Sequence, residues 1–201
     1  IGLAPGICEG IKKGGATESK VYLIPNFCDN KLFYPLRTGN KKKKPNKEIS
    51  SNTVIPKDSL IAAYTGAHGL CNDLNSIVNV AIELKKRKID NIHIFLIGEG
   101  SCKGELIKKS KIYKLKNIHF LPSMKKEKLS EFIRLHVHVG LMLLKNVPAF
   151  YNGTSPNKFF DYLASGLCVV TNYPGWISDL ISKEKLGINV QPNNPKVFAN
   201  Q

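Results

Sequence analysis

From residue 59 onward the chain alternates short apolar runs with longer amphipathic stretches. The runs "SLIAAYTG" (59–66), "NIHIFLIG" (91–98), "NIHFLP" (117–122), "VHVGLMLL" (137–144), "CVVTN" (168–172) and "GINV" (187–190) read as strands. The first is apolar at nearly every position, as a strand buried on two faces must be. Between the first two lies "LNSIVNVAIELKKRK", which sets Leu74, Ile77, Val78, Ala81 and Ile82 on one helical face. Its charges come late, where they suit the C-terminal end of the helix dipole. Further helices are predicted near 103–114, 125–134, 156–164 and 176–183. Short apolar strands alternating with helices predict an α/β fold, a doubly wound parallel sheet covered on both faces, from about residue 58. Ahead of it stand an apolar start (1–5), a helix-like "GICEGIKKG" and a strand-like "KVYLIPN". No internal repeat is visible.

Composition changes this picture in one place. Residues 36–57, "LRTGNKKKKPNKEISSNTVIPK", are poor in apolar residues and hold seven cations against Glu48. They read as an exposed basic linker, with Lys41, Lys42, Lys43 and Lys44 either a solvated connector or a contact for an anionic membrane surface. The whole chain carries a net charge of +15, which suggests a polyanionic neighbour: nucleic acid, anionic lipid or a phosphorylated ligand. Apolar residues make up 42% of the 201, and no run approaches the ~20 needed to span a bilayer. The opening phrase "IGLAPGI" has no signal-peptide pattern, and the expectation is a piece of a longer protein. Five scattered cysteines without a C-x-x-C pair argue against a disulfide framework or a zinc site. They fit a reducing cytoplasm, with small, mostly buried thiols and Cys168 in the core.

In a doubly wound sheet, ligands bind beyond the carboxyl ends of the strands. The stretches there are "TGAHG" (65–69), "IGEGS" (97–101), "LPSM" (121–124), "LLKNVPAFYNGTSPNK" (143–158) and "TNYPGW" (171–176). Gly66, Gly69 and Gly98 either bring backbone amides close to an anion or simply make tight turns. His68, between two glycines, is either a ligand contact or structural. His93, His119, His136 and His138 lack a metal-ligating neighbour and read as structural. The strongest signal is "TSPNKFFDYLASG" (154–166). Ser155 suits the helix N-cap, Pro156 the first turn and Gly166 the position past the end. The amides of Asn157 and Lys158 then form an anion site, with the Lys158 ammonium at its rim. Asp161 lies one turn on, where it either holds a ribose or pairs with Lys158. Phe159, Phe160 and Leu163 anchor the helix.

The phrases "LIPNFCDNKLF", "YTGAHGL", "LIGEG" and "VGLMLLKNVPAFYNGTSPNKFFDYLASGLCVVTNYPGW" together resemble retaining glycosyltransferases of family 4 over nearly the whole chain. The similarity is greatest to surface-polysaccharide enzymes such as N-acetyl-L-fucosamine transferases. It implies a GT-B fold, with residues 58–201 as a Rossmann-like nucleotide-sugar domain truncated at its C-terminus. On the same resemblance, 1–35 are a remnant of the acceptor domain and 36–57 a hinge. The function implied is transfer of a hexose or deoxy-amino sugar, from a UDP donor by preference, to a lipid-linked or polysaccharide acceptor. This would take place at the cytoplasmic face of the plasma membrane, without cofactor, metal or nucleic acid, and the isolated piece would be inactive. Gly66, His68, Gly69, Gly98, Pro122, Lys145, Ser155, Asn157, Lys158 and Asp161 become donor-binding positions, with the backbone of 121–123 along the base. Two departures stand out. Gly153 occupies the place of the family's first glutamate, and the usual basic pair is missing near Ala67 and Asn72. An epimerase of the same fold, or a basic nucleic-acid or membrane module, are the rival readings.

Overall fold

The computed structural model describes residues 1–36 and 58–201. The linker reading, with Lys41 to Lys44, therefore lies almost wholly outside the described residues. Among the described residues six strands, β1 (Leu60–Thr65), β2 (Ile92–Ile97), β3 (Ile118–Leu121), β4 (Val139–Met142), β5 (Cys168–Thr171) and β6 (Gly187–Asn189), form one sheet. Eight helices accompany them there: α1 (Pro5–Lys13), α2 (Leu74–Lys86), α3 (Lys103–Ile112), α4 (Lys126–His136), α5 (Pro148–Gly153), α6 (Asn157–Ala164), α7 (Trp176–Lys183) and α8 (Pro195–Phe198). Every strand pair is parallel, in the order β3-β2-β1-β4-β5-β6. The chain winds outward from β1 in one direction and from β4 in the other, so the order reverses between these two strands. There the loops leaving the carboxyl ends diverge and open a crevice.

Alternation along the strands divides the core into two layers. Ile61, Ala63, Phe95, Ile97 and Met142 pack against Phe132 and Ile133 of α4, Phe159 and Tyr162 of α6, and Ile177 and Ile181 of α7. Ala62, Tyr64, Ile94, Leu96 and Leu141 face Ile77, Val78, Ala81 and Leu84 of α2 and Leu106 of α3. Each large side chain buried in this way stabilises the fold by about 1.5–3 kcal/mol.

Helix α6 is fixed to the sheet with particular care. The Tyr162 hydroxyl accepts the Thr65 backbone N–H at 2.9 Å and lies 3.2 Å from the Ala63 carbonyl, to which it donates. Its ring fills the space that Gly140 leaves, for a Cβ there would sit 2.4 Å from the ring. The residue that orients α6 is thus a buried tyrosine that the sequence presents only as another apolar position.

The first 36 residues pack against this domain. Phe33 is buried in the α4–α6–α7 layer, Arg134 stacks on the Tyr34 ring at 4.4 Å, and α1 lies against α5. The expected strand "KVYLIPN" is not formed. Only Leu23 bridges, to Gly2, and Tyr22, Leu23 and Ile24 are exposed with no neighbouring strand among the described residues to pair with. Cys168 is also corrected: it opens β5 at the amino edge of the sheet and is exposed, as is Cys71, while Cys8 is buried.

Candidate functional site

The crevice at the β1/β4 reversal is lined by the turn after β1, the loop after β4 and the start of α6. That start falls one residue later than expected. Pro156 is the N-cap, with extended backbone and no capping side chain, and Asn157 is the first helical residue. Ser155 is drawn away because its Oγ accepts the Asn26 backbone N–H at 3.0 Å and its carbonyl accepts the Asn26 side-chain amide. The far end agrees with expectation, since Gly166 follows the helix at φ 77°. Among the described residues the N–H groups of Asn157 and Lys158 find no acceptor, which leaves the positive end of the helix open.

Lys158 does not pair with Asp161. Among the described residues no carboxylate lies within 4.0 Å of its ammonium. The nitrogen instead sits 3.9 Å from the centroid of the Tyr64 ring. Burial without a counter-ion pulls the Lys158 pKa down to about 8. Asp161 is half-buried and its side chain makes no hydrogen bond among the described residues. Burial raises its pKa, and the charge of Lys126, at the start of α4, partly offsets this. One turn of helix therefore offers an uncompensated cation, two open amides and an unpaired carboxylate. This set suits a ligand with an anionic part and a hydroxylated part.

The two glycine turns interlock. A Cβ on Gly98 would lie 2.0 Å from the Gly66 carbonyl, and one on Gly100 would lie 2.6 Å from the His68 carbonyl carbon. Gly98 is buried beneath Gly66, and its lack of a side chain serves the packing of turn on turn. Gly66 is exposed at φ 134°, next to the Lys158 ammonium. Gly69 has ordinary backbone, and a Cβ added there would lie 3.5 Å from the Asn72 side-chain amide. His68 is wholly buried behind this turn, and neither ring nitrogen has a partner. Burial lowers its pKa, with Lys103 and Lys158 pushing the same way against the Glu99 carboxylate.

The loop after β4 is braced from two sides. Asn172 accepts the Leu144 N–H at 3.0 Å and donates to Asp73 at 2.8 Å, and the Lys145 N–H donates to the Cys71 carbonyl at 2.9 Å. The Lys145 side chain is exposed, and its charge reaches Asp73. The Trp176 indole donates to the Thr154 carbonyl at 2.7 Å and fixes the entry to α6. Pro122 is exposed just past β3. Gly153 faces open space: a side chain added there would meet nothing within 4 Å. Lys103, which the sequence reading passed over, donates to the Gly98 and Leu121 carbonyls and to the Glu99 carboxylate. Lys103 and Lys158 both stand in the first turn of a helix, against its dipole, as Lys126 does in α4.

Set against known proteins, the chain matches the family described as glycosyl transferases group 1 over residues 45–201. A search of curated proteins finds no match. Among solved structures, the C-terminal domain of a group 1 family glycosyl transferase (LpcC) from Francisella tularensis is similar at TM-score 0.63 and 18% identity, covering 86% of this chain and 84% of that one. Anabaena Alr3699/HepE, solved in complex with UDP and glucose, gives TM-score 0.73 at 11% identity, covering 100% of this chain and 51% of that chain. A point mutant of S. aureus TarM, in complex with Fondaparinux, alpha-GlcNAc-glycerol and UDP, gives 0.71 at 15%, covering 100% and 35%. At such identities the likeness establishes the fold, a Rossmann-like sheet matching the C-terminal domains of GT-B enzymes. This chain spans about half, or less, of the two larger proteins. With the family matched over most of its length, the chain belongs to the group 1 glycosyl transferases.

Proposed function

We propose that this chain is the donor-binding part of a retaining glycosyltransferase that uses a UDP-sugar. Residues 1–35 would derive from the acceptor-binding domain and 36–57 would be the hinge. The observation that carries the reading is the Lys158 ammonium, free of any carboxylate among the described residues, beside the open amides of Asn157 and Lys158 at the reversal point of the sheet.

On this reading the diphosphate sits on the start of α6 and takes its counter-charge from Lys158. Asp161 accepts hydrogen bonds from the ribose hydroxyls, and the backbone of 121–123 borders the base. Departure of the nucleotide leaves negative charge on the diphosphate. Oriented amides and an ammonium stabilise that charge as it develops, which is the largest contribution such a site makes to rate. The sugar transferred is a hexose or deoxy-amino sugar, and the acceptor a lipid-linked or polysaccharide chain in surface-glycan synthesis. Lys41 to Lys44 would hold the enzyme to the anionic inner face of the membrane. UDP in complexes of two proteins of similar fold supports the choice of donor.

Calorimetric titration with UDP, GDP and ADP tests the reading. UDP binds most tightly, and Lys158→Ala weakens it by roughly a hundredfold, the scale of a lost charge-assisted contact. Equal affinity in wild type and variant would refute the assignment.

A further inference from the structure

We infer that Tyr64 is a positioning residue of the donor site: its ring face, reached through the gap left by Gly66, holds the Lys158 ammonium at the mouth without neutralising it. This rests on the diphosphate reading given above, but its geometry stands apart from any ligand.

Lys158 and Tyr64 belong to opposite layers of the fold. Lys158 lies on α6, whose Phe159 and Tyr162 pack with α4 and α7, whereas Tyr64 points from β1 toward α2 and α3. To meet the ring, the lysine chain has to cross the carboxyl edge of β1. It does so at Gly66, where an added Cβ would lie 3.4 Å from the ammonium nitrogen and 3.5 Å from Cε. The turn's φ of 134° also disfavours any side chain at this position.

The ring itself cannot move to follow the cation. Tyr64 is fully buried, and its hydroxyl donates to the Ala67 carbonyl at 2.8 Å. The ammonium rests 3.9 Å from the ring centroid, within the range of attraction by the negative π face.

The choice of partner has a consequence for binding. A carboxylate would hold the ammonium more firmly, but it would cancel the charge, and an incoming diphosphate would have to displace it. An aromatic face restrains a flexible chain and leaves the charge available on its outer side. The site thereby begins in its binding arrangement and loses little side-chain freedom when the anion arrives.

Nuclear magnetic resonance of lysine labelled at Cε tests this without ligand. One pair of Hε resonances, removed by Lys158→Arg, is displaced upfield by the ring current of Tyr64. Tyr64→Phe keeps the displacement, and Tyr64→Leu abolishes it. UDP affinity falls about three- to thirtyfold in Tyr64→Leu, the range of a partly desolvated cation–π contact, and by less in Tyr64→Phe. If Tyr64→Leu does not fold, the wild-type and Tyr64→Phe spectra decide. An upfield shift in a protein that ignores UDP refutes the donor reading and leaves the Tyr64 contact standing. Absence of the shift in wild type, or a folded Tyr64→Leu that binds UDP as wild type does, overturns the inference.

Discussion

Lys103 and Lys158 stand at the same edge of the same sheet, each near the start of a helix, and the molecule treats them in opposite ways. Lys103 donates to the Gly98 carbonyl at 2.8 Å, the Glu99 carboxylate at 2.8 Å and the Leu121 carbonyl at 3.1 Å. Its three donors are used up in tying the ends of β2 and β3 together. Lys158 has an aromatic face beneath it and, among the described residues, no oxygen acceptor. A buried cation with all its hydrogen bonds made belongs to the scaffold. One left without them carries a desolvation cost that an anionic ligand can relieve. The contrast locates the anion-binding part of the site: the ends of β2 and β3 are tied together by Lys103, and the β1–β4 reversal is left with a cation that is free among the described residues.

Substituting each lysine in turn tests that contrast most strongly. Lys103→Ala leaves the Gly98 carbonyl without its donor and the Leu121 carbonyl with only the Gly98 N–H, and should lower unfolding free energy by roughly 2 kcal/mol, read from urea midpoints. Lys158→Ala removes a poorly compensated charge and should cost little stability while weakening UDP binding by roughly a hundredfold. Equal stability losses in the two variants would erase the distinction.

A smaller effect comes from pH. A diphosphate prefers the ammonium form of Lys158, and in the free protein burial lets that proton leave near pH 8. UDP affinity should therefore fall as pH rises above about 8, by up to tenfold per pH unit, with proton uptake on binding measurable in buffers of different ionisation enthalpy. Lys158→Arg, charged throughout this range, should flatten the profile.

The smallest effect lies within the β2–β3 half. His93 and His119 share a hydrogen bond of 2.9 Å, and burial, with His93 alongside, holds His119 down to about 4. Burial also lowers His93 and His136. An unfolded chain binds these protons first, so stability should decline as pH falls from about 6.5 toward 4, without loss of the neutral-pH structure. Urea midpoints at pH 7, 5.5 and 4.5 measure the slope, and His119→Gln should reduce it.

The sheet was legible in the sequence because its strands are short apolar runs between helical periods, and periodicity is a local property. The start of α6 was legible for the same reason, to within one residue. The error came from Asn26, far away in sequence, which claims the Ser155 hydroxyl that would otherwise cap the helix. The reason for a glycine at position 98 is also remote in sequence: its need for no side chain is set by the Gly66 carbonyl on a neighbouring turn. The Lys158–Asp161 pairing could be weighed but not decided from spacing alone. The deciding neighbour, the Tyr64 ring, reaches the lysine across the edge of the sheet. Helix α5 was missed because its six residues sit inside a loop rich in Pro, Asn and Gly and bury no side chain fully.

Crystals of the protein grown with UDP offer the most direct measurement. Diphosphate oxygens should lie within hydrogen-bond distance of the Asn157 and Lys158 amides, with the Lys158 ammonium turned toward them above Tyr64 and the ribose hydroxyls at Asp161. A nucleotide seated elsewhere, with the start of α6 unoccupied, would contradict that arrangement.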